Sequence, residues 1–353
     1  MIEKIQEVCI ALLKEMIEVS SVSREETSVA DLIERKFQKW NLDPQRLHNN
    51  LWVRNEDWDD KKPVILLNSH VDTVRPANGW TYDPLKACVE GDRITGLGSN
   101  DAGASVVSLL GTFLFFHQRK NLPYNLIFCA SAEEEISGIN GMTSVIAQIG
   151  KIDLAIVGEP TRMQMAIAEK GLLVLDVEAK GKAGHAARNE GENAIYKAIE
   201  DIKALREYRF PLESVVLGPV KMTVTQIEAG HQHNMIPDSC KFVVDVRTNE
   251  FYSNKEVFEV ISGLLKSEVK ARSFRLNSSG IKADHPFIKR GLELGLTAFG
   301  SPTTSDQAVI PYPSVKIGPG DSARSHTANE FIFMSEIKEG IKIYIDLLKN
   351  LNI

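Results

Sequence analysis

The chain has 353 residues, with hydrophobic residues at 43% and charged residues at 25%, the composition of a soluble globular protein with room for about two domains. Its net charge of −6 comes without a basic run, which argues against a nucleic-acid partner, because phosphate recognition draws on clustered Lys and Arg. Glu3, Glu7 and Glu15 interrupt the apolar N-terminal stretch, and Cys9, Cys88, Cys129 and Cys240 form no C-x-x-C pair. These features speak against a signal peptide, a membrane span or a disulfide framework, and the expected compartment is the cytoplasm.

In chain order, Ile5, Val8, Cys9, Leu12, Leu13 and Met16 recur at helical spacing and predict an amphipathic first helix. Ser23 with Glu26 has the pattern of a capping box ahead of a second apolar stripe, Val29, Leu32, Ile33, Phe37 and Trp40. Val64 to Leu67 then reads as a strand buried on both faces, since four consecutive β-formers leave no face for water. His70 and Asp72 follow it, one residue apart and on the same side of an extended segment.

The stretch Gly96-Leu97-Gly98-Ser99-Asn100-Asp101 leads into the apolar run Val106 to Phe116, a buried helix beginning near Asp101. It lacks both a Walker lysine and the full dinucleotide pattern. Taken alone, Asp101 reads as a helix cap. Leu126 to Ala130 is a second buried strand, ending in Glu133-Glu134-Glu135; Leu154 to Val157 is a third, ending in Gly158-Glu159; Pro313 to Gly318 is a fourth, leading to His326.

Between the third and fourth strands the pattern changes. Leu173 to Ala179 and Lys221 to Ile227 alternate as strands, Asn193 to Tyr208 reads as a helix, and Cys240, Phe242, Val244 and Val246 mark another strand face. Ser253 with Glu256 opens a helix expected to run to about Lys270, and Ser273 to Leu276 supplies a fourth strand. The order β-α-β-β-α-β is that of the ferredoxin-like split unit. The expected organisation is a discontinuous α/β catalytic domain with a mixed sheet, residues 1–171 and 284–353, carrying an inserted ferredoxin-like α+β lid and dimerisation domain over 172–283.

Four buried strands thus deliver a histidine or a carboxylate beyond one end of a sheet, where open α/β sheets place their sites. His70, Asp101, Glu135, Glu159 and His326 are five N/O ligands without a cysteine, a set that suits one or two divalent ions, zinc first where imidazole is present. Asp72 fits as the acceptor of the second ring N–H of His70, and the adjacent Glu134 and Glu135 can divide the work of base and ligand. A solvated glutamate run is the bland alternative, but such a run rarely starts directly after a buried strand.

The segments SHVDTV, GLGSNDAG, SAEEEISG, VGEPT, GKAGHAA, NMIPD, DVR and GPGDSARSHTANEF, between residues 69 and 331, resemble the M20 family of metallopeptidases and deacylases, in particular the branch related to acetylornithine deacetylase. The resemblance implies a zinc-hydrolase in which His70, Asp101 and Glu159 hold one metal and Asp101, Glu135 and His326 the other, with Co²⁺ or Mn²⁺ as substitutes. Glu134 becomes the general base; the family usually reads D-E-E where this chain has Glu133-Glu134-Glu135, and aligning Gly138 places the base at Glu134. The resemblance further implies a homodimer paired through 172–283, with His185 stabilising the oxyanion in the other subunit, and Asn234 and Arg247 binding substrate.

The implied activity is hydrolysis of a small N-acylated amino acid, N-acetylornithine first, in arginine biosynthesis. N-acetylcitrulline, N-acetyllysine, N-succinylornithine, N-succinyldiaminopimelate and small peptides are the competing substrates. Asp101-Ala102-Gly103-Ala104 and Ser301 to Asp306 depart from the usual family pattern near the substrate. Arg324, two residues before His326, is a further candidate for meeting a charged substrate group. A metal-stabilised binding protein without turnover is the reading from another class; it predicts loss of a ligand or of the base, and every position is filled.

Overall fold

A computed structural model describes residues 1–188 and 190–353. Helices α1 (Ile2–Ile17) and α2 (Thr27–Lys39) precede strands β1 (Gln45–Leu47), β2 (Asn50–Arg54), β3 (Val64–His70), β4 (Cys88–Glu90) and β5 (Arg93–Thr95). Then come α3 (Ala104–Phe116), β6 (Asn125–Ser131), α4 (Met142–Ile149), β7 (Leu154–Val157) and β8 (Met165–Glu169). The middle of the chain holds β9 (Gly171–Lys180), β10 (Gly184–His185), α5 (Ala194–Glu207), β11 (Lys221–Ala229), β12 (Met235–Ile236), β13 (Ser239–Thr248), α6 (Asn254–Leu264) and β14 (Glu268–Ala271). It closes with β15 (Ser279–Gly280), α7 (Pro286–Glu293), β16 (Ala298–Ser301), β17 (Ser314–Lys316), β18 (Phe331–Phe333) and α8 (Met334–Leu348).

The chain divides into two compact units, one of Met1–Ile167, Gly280–Phe299 and Ser305–Ile353, the other of Ala168–Ser279 and Gly300–Thr304. In the first, the sheet runs β1-β2-β6-β3-β7-β17-β8. Its centre, β6-β3-β7-β17, is parallel throughout, with antiparallel β2 and β8 outside it. Parallel strands bury both faces. Ile65, Leu67, Leu126 and Phe128 pack with α1, α3 and α8, while Leu66, Ile127 and Ala155 pack with Met142, Val145 and Ile149 of α4. Helix α3 is apolar nearly all round because it lies under α1 and α8 against the sheet.

The second unit has the antiparallel order β11-β13-β9-β14. Leu173, Leu175, Val177, Val244 and Val246 face Ala198 and Leu205 of α5 and Val257 and Ile261 of α6. This is the ferredoxin-like arrangement, an α+β unit within an α/β chain.

Two local expectations are corrected. Ser23 and Glu26 do not cap α2: the Ser23 hydroxyl donates to Asp72 Oδ2 at 2.7 Å, and Glu26 Oε1 accepts the N–H groups of Arg24 (2.7 Å) and Glu133 (3.2 Å). Both side chains are drawn off by the loop beyond the sheet. The helix opened by the Ser253–Glu256 capping box stops at Leu264, where Leu265 turns extended, and the edge strand is Glu268–Ala271 rather than Ser273 to Leu276. Its alternation explains the difference: Glu268 is exposed and pairs with Lys180 (2.7 Å) and Lys270 (2.9 Å), while Val269 and Ala271 pack on the core.

Candidate active site

The carboxyl ends of the four central parallel strands gather the acidic and imidazole groups. His70 ends β3, opposite Ser131 of β6 in the ladder. Its Nδ1 lies 3.0 Å from the Asp72 backbone oxygen and 3.4 Å from Asp72 Oδ1. The backbone carbonyl is therefore the nearer acceptor, and the carboxylate, expected to take that ring N–H alone, shares it. The Asp72 carboxylate also holds the glutamate run in place, Oδ1 accepting the N–H of Glu134 at 3.0 Å and Oδ2 that of Glu135 at 3.1 Å.

Asp101 sits in the turn Ser99–Gly103 before α3 and caps nothing. Gly98 enters this turn with φ of 72°, and a Cβ there would stand 2.6 Å from the Thr73 side chain; glycine alone accepts both conditions. The turn is held by Glu330, whose carboxylate accepts the N–H groups of Gly98 (3.0 Å), Asn100 (2.8 Å) and Asp101 (2.8 Å). Asp101 then offers Oδ1 to His70 Nε2 at 3.3 Å and Oδ2 to His326 Nε2 at 3.6 Å.

Glu159 follows β7 through Gly158, where a Cβ would meet Leu109 and Ser105 at 2.8 Å. That close approach brings Glu159 Oε1 to 3.8 Å from His70 Nε2. His326, in the left-handed region with φ of 57°, bonds both oxygens of Glu135 at 2.9 and 3.1 Å. Glu134 Oε2 lies 3.9 Å from His70 Nε2. Glu133 is turned elsewhere, accepting from Asn140 N–H and Nδ2.

Ligand atoms of His70, Asp101 and Glu159 lie within 4.8 Å of one another, as do those of Asp101, Glu135 and His326. Burial pushes the Glu134 carboxyl well above the usual range, and Glu159 is raised for the same reason. Burial opposes the His70 imidazolium, but bonds to Asp101 and Asp72 outweigh it and hold its pKa high. Acids crowded out of water in this way call for cations. Imidazole nitrogens and carboxylate oxygens, with one carboxylate common to both groups, fit two divalent ions, His70, Asp101 and Glu159 toward one and Asp101, Glu135 and His326 toward the other.

The other expected residues belong to the second unit. His185 is exposed on β10, and its Nδ1 accepts the Ala187 N–H at 3.1 Å. Asn234 is exposed, and its backbone oxygen accepts the Ala186 N–H. Arg247 forks onto Asp245 (2.8 and 3.0 Å) and donates to Thr304 Oγ1 at 3.3 Å. Arg324 is bonded to Glu336 at 2.7 Å and lies over the Phe331 ring.

The sequence pattern assigns no role to Glu330 or Asp306, and to Glu26 only that of a helix cap. The buried Asp306 carboxylate accepts from Asn68 (2.8 Å) and Ser131 (2.6 Å), and burial raises its pKa. Glu330 lies within the motif segment that contains His326; an isolated acid beside an apolar strand was the available signal.

Residues 167–273 match the family model described as peptidase dimerisation domain, and residues 50–194 match peptidase family M28. A Peptidase M20 domain-containing protein of Schizosaccharomyces pombe is 28% identical over 95% of this chain and 82% of its own length. A [LysW]-lysine/[LysW]-ornithine hydrolase of Sulfurisphaera tokodaii is 29% identical over 96% and 94%. The fold is that of a dinuclear metal-binding peptidase of the M20 family from Bacillus subtilis, with a TM-score of 0.74, 16% identity and 98% of both chains covered. The chain is similar over nearly its whole length to proteins of the M20 family of metallo-hydrolases, a family of peptidases and deacylases.

Proposed function

We propose that this chain is a metal-dependent amidohydrolase that removes the acyl group from an N-acylated amino acid, with N-acetylornithine the first candidate and arginine biosynthesis the corresponding setting. The observation that carries this reading is Asp101, one carboxylate oxygen toward each of two histidines, with Glu159 and Glu135 completing the two ligand groups. Two divalent cations bound there, zinc first, supply Lewis-acid polarisation of the acyl carbonyl and a more acidic water.

Glu134 takes the proton from the attacking water as the oxygen–carbon bond forms. It then passes that proton to the amide nitrogen as the carbon–nitrogen bond breaks, releasing a carboxylic acid and a free amine. Its burial supports this double role, because a raised carboxyl pKa brings proton uptake and release closer to neutral pH. Asp72 fixes Glu134 through the backbone N–H. Glu133 is engaged by Asn140, which favours Glu134 over its neighbour as the base.

The match to a dimerisation domain supports a homodimer paired through the second unit. In that arrangement His185 serves the neighbouring copy. Its Nδ1 already accepts a hydrogen bond, which leaves Nε2–H as the donor of the neutral ring toward a developing oxyanion. Asn234 and Arg247 are assigned to the substrate, Arg247 to its carboxylate. The relative named for lysine and ornithine supports an amino acid with a basic side chain as the released amine.

The test is release of free ornithine from N-acetylornithine by zinc-loaded and chelated protein. Zinc-dependent release supports the reading; absence of release from N-acyl derivatives of ornithine, citrulline and lysine overturns it.

A further inference from the structure

The glutamate run leaves β6 through a reversal of the chain. Ser131 ends the strand, Ala132 donates its N–H to Asn50 Oδ1 at 2.8 Å, and Glu133 turns into the left-handed region with φ of 56°. That region is a cost for residues other than glycine, eased in Asn and Asp by a short polar side chain that glutamate lacks. Glu133 is also buried. A conformation of this kind persists only where the surroundings fix it, and such positions cluster at functional sites.

Three parts of Glu133 are fixed separately. Its N–H donates to Glu26 Oε1 at 3.2 Å, its carboxylate accepts the N–H and Nδ2 of Asn140 at 3.2 and 3.1 Å, and its carbonyl accepts the Gly138 N–H at 2.8 Å. Glu26 is itself wholly buried and held: Oε1 also accepts the Arg24 N–H at 2.7 Å, and Oε2 accepts Asn49 Nδ2 at 3.0 Å. Asn140 is held by Asn50, whose Nδ2 donates to the Asn140 carbonyl at 2.6 Å. A wholly buried carboxylate is a costly way to satisfy two backbone N–H groups. What it secures is the direction of the chain at Glu133. The next residue is Glu134, with its N–H on Asp72 and its Oε2 3.9 Å from His70 Nε2. Because φ and ψ are the soft dihedrals of the backbone, relaxing Glu133 swings Glu134 with it.

We propose that Glu26 and Asn140 are positioning residues that act through the left-handed Glu133 to aim Glu134 at the attacking water. This rests on the amidohydrolase reading above, in which Glu134 is the base. It also gives the segment between α1 and α2 two grips on the site, Ser23 on Asp72 after β3 and Glu26 on Glu133 after β6.

The experiment takes two readouts on full-length, zinc-loaded protein, for wild type, Glu26→Ala, Glu26→Gln and Asn140→Ala. The first is amide hydrogen exchange over residues 131–136. Exchange is expected to quicken in both alanine variants and to stay near wild type in Glu26→Gln, which keeps an oxygen for the Arg24 and Glu133 N–H groups. The second is kcat and KM, per metal-loaded site, for the N-acyl amino acid that wild type hydrolyses. Glu26→Ala is expected to lower kcat about a hundredfold and Asn140→Ala about tenfold, with KM changed less than about twofold, because a misdirected base costs turnover rather than ground-state binding. Glu26→Gln should recover most of the loss. A purely structural role would lower the melting temperature and leave kcat per loaded site untouched; that result overturns the inference, and so does unaltered exchange over 131–136. Should Glu26→Ala fail to fold, Asn140→Ala decides by the same two readouts. Absence of turnover by wild type, with exchange quickened in the alanine variants, contradicts the amidohydrolase reading and leaves the hold on Glu133 standing.

Discussion

Asp72 Oδ1 accepts the backbone N–H of Glu134 at 3.0 Å, which ties the segment after β3 to the segment after β6. The same carboxylate takes the N–H of Glu135 and the hydroxyl of Ser23, and it is buried. Replacing one of its oxygens by an amide removes an acceptor from that junction. Asp72→Asn is expected to lower kcat by about a hundredfold, within the range for a misplaced general base. Metal content by elemental analysis should be retained; unchanged kcat would contradict the positioning role.

Glu330 anchors Asp101 through three backbone N–H groups. Glu330→Ala strands these donors in a buried site, at a cost of about 1–3 kcal/mol for each one that water does not reach. The expected outcome is weaker metal binding and a lower melting temperature together. Glu330→Gln, which keeps one acceptor oxygen, should fall between alanine and wild type in both, and wild-type metal affinity in the alanine variant would contradict the account.

The metal-free protein should become less stable as pH rises. Burial lifts Glu159 from 4.5 to about 8, and the bond to Glu135 lifts His326 from 6.5 to about 9. Between about 4.5 and 8 the folded chain keeps a Glu159 proton that the unfolded chain has lost, and between about 6.5 and 9 the same holds for His326. The native state therefore binds more protons across both windows, and stability declines as pH climbs through them. Thermal melting of chelated protein should occur at lower temperature at pH 8 than at pH 6, and bound cations, taking the place of those protons, should shrink the difference. A melting temperature that rises with pH in chelated protein would contradict the electrostatic picture.

The main strands were readable because Leu66, Ile127 and Ile156 belong to apolar runs with no polar face, and parallel strands buried on both sides leave that mark. The groups at their carboxyl ends were readable because a polar residue directly after such a run has few structural uses. Ser23 and Glu26 misled because a capping pattern is local, whereas their partners, Asp72 and Glu133, are distant in sequence. The end of α6 was missed because Glu268 and Lys270 also suit a helix surface, and only pairing with β9 makes them a strand. Glu330 and Asp306 carry no periodic signal; their roles come from backbone N–H groups and side chains that only the fold brings to them.

Pairing of two copies through the second unit predicts complementation. Glu134→Gln and His185→Ala homodimers should each be nearly inactive, and mixing them under subunit exchange should restore activity, because one site of the mixed dimer then has both Glu134 and a neighbouring His185. Sedimentation at assay concentration should show a dimer. A fully active monomer, or no recovery on mixing despite verified exchange, would contradict the role of His185.

The most direct test of the central claim compares wild type and Glu134→Gln for release of free amine from N-acetyl and N-succinyl ornithine, with metal content measured in the same preparations. The account predicts two equivalents of divalent metal in both proteins, amine release by metal-loaded wild type, none after chelation, and a loss of about 10²- to 10⁴-fold in the variant. Normal turnover by a fully loaded Glu134→Gln protein, or undiminished turnover by chelated wild type, would contradict it.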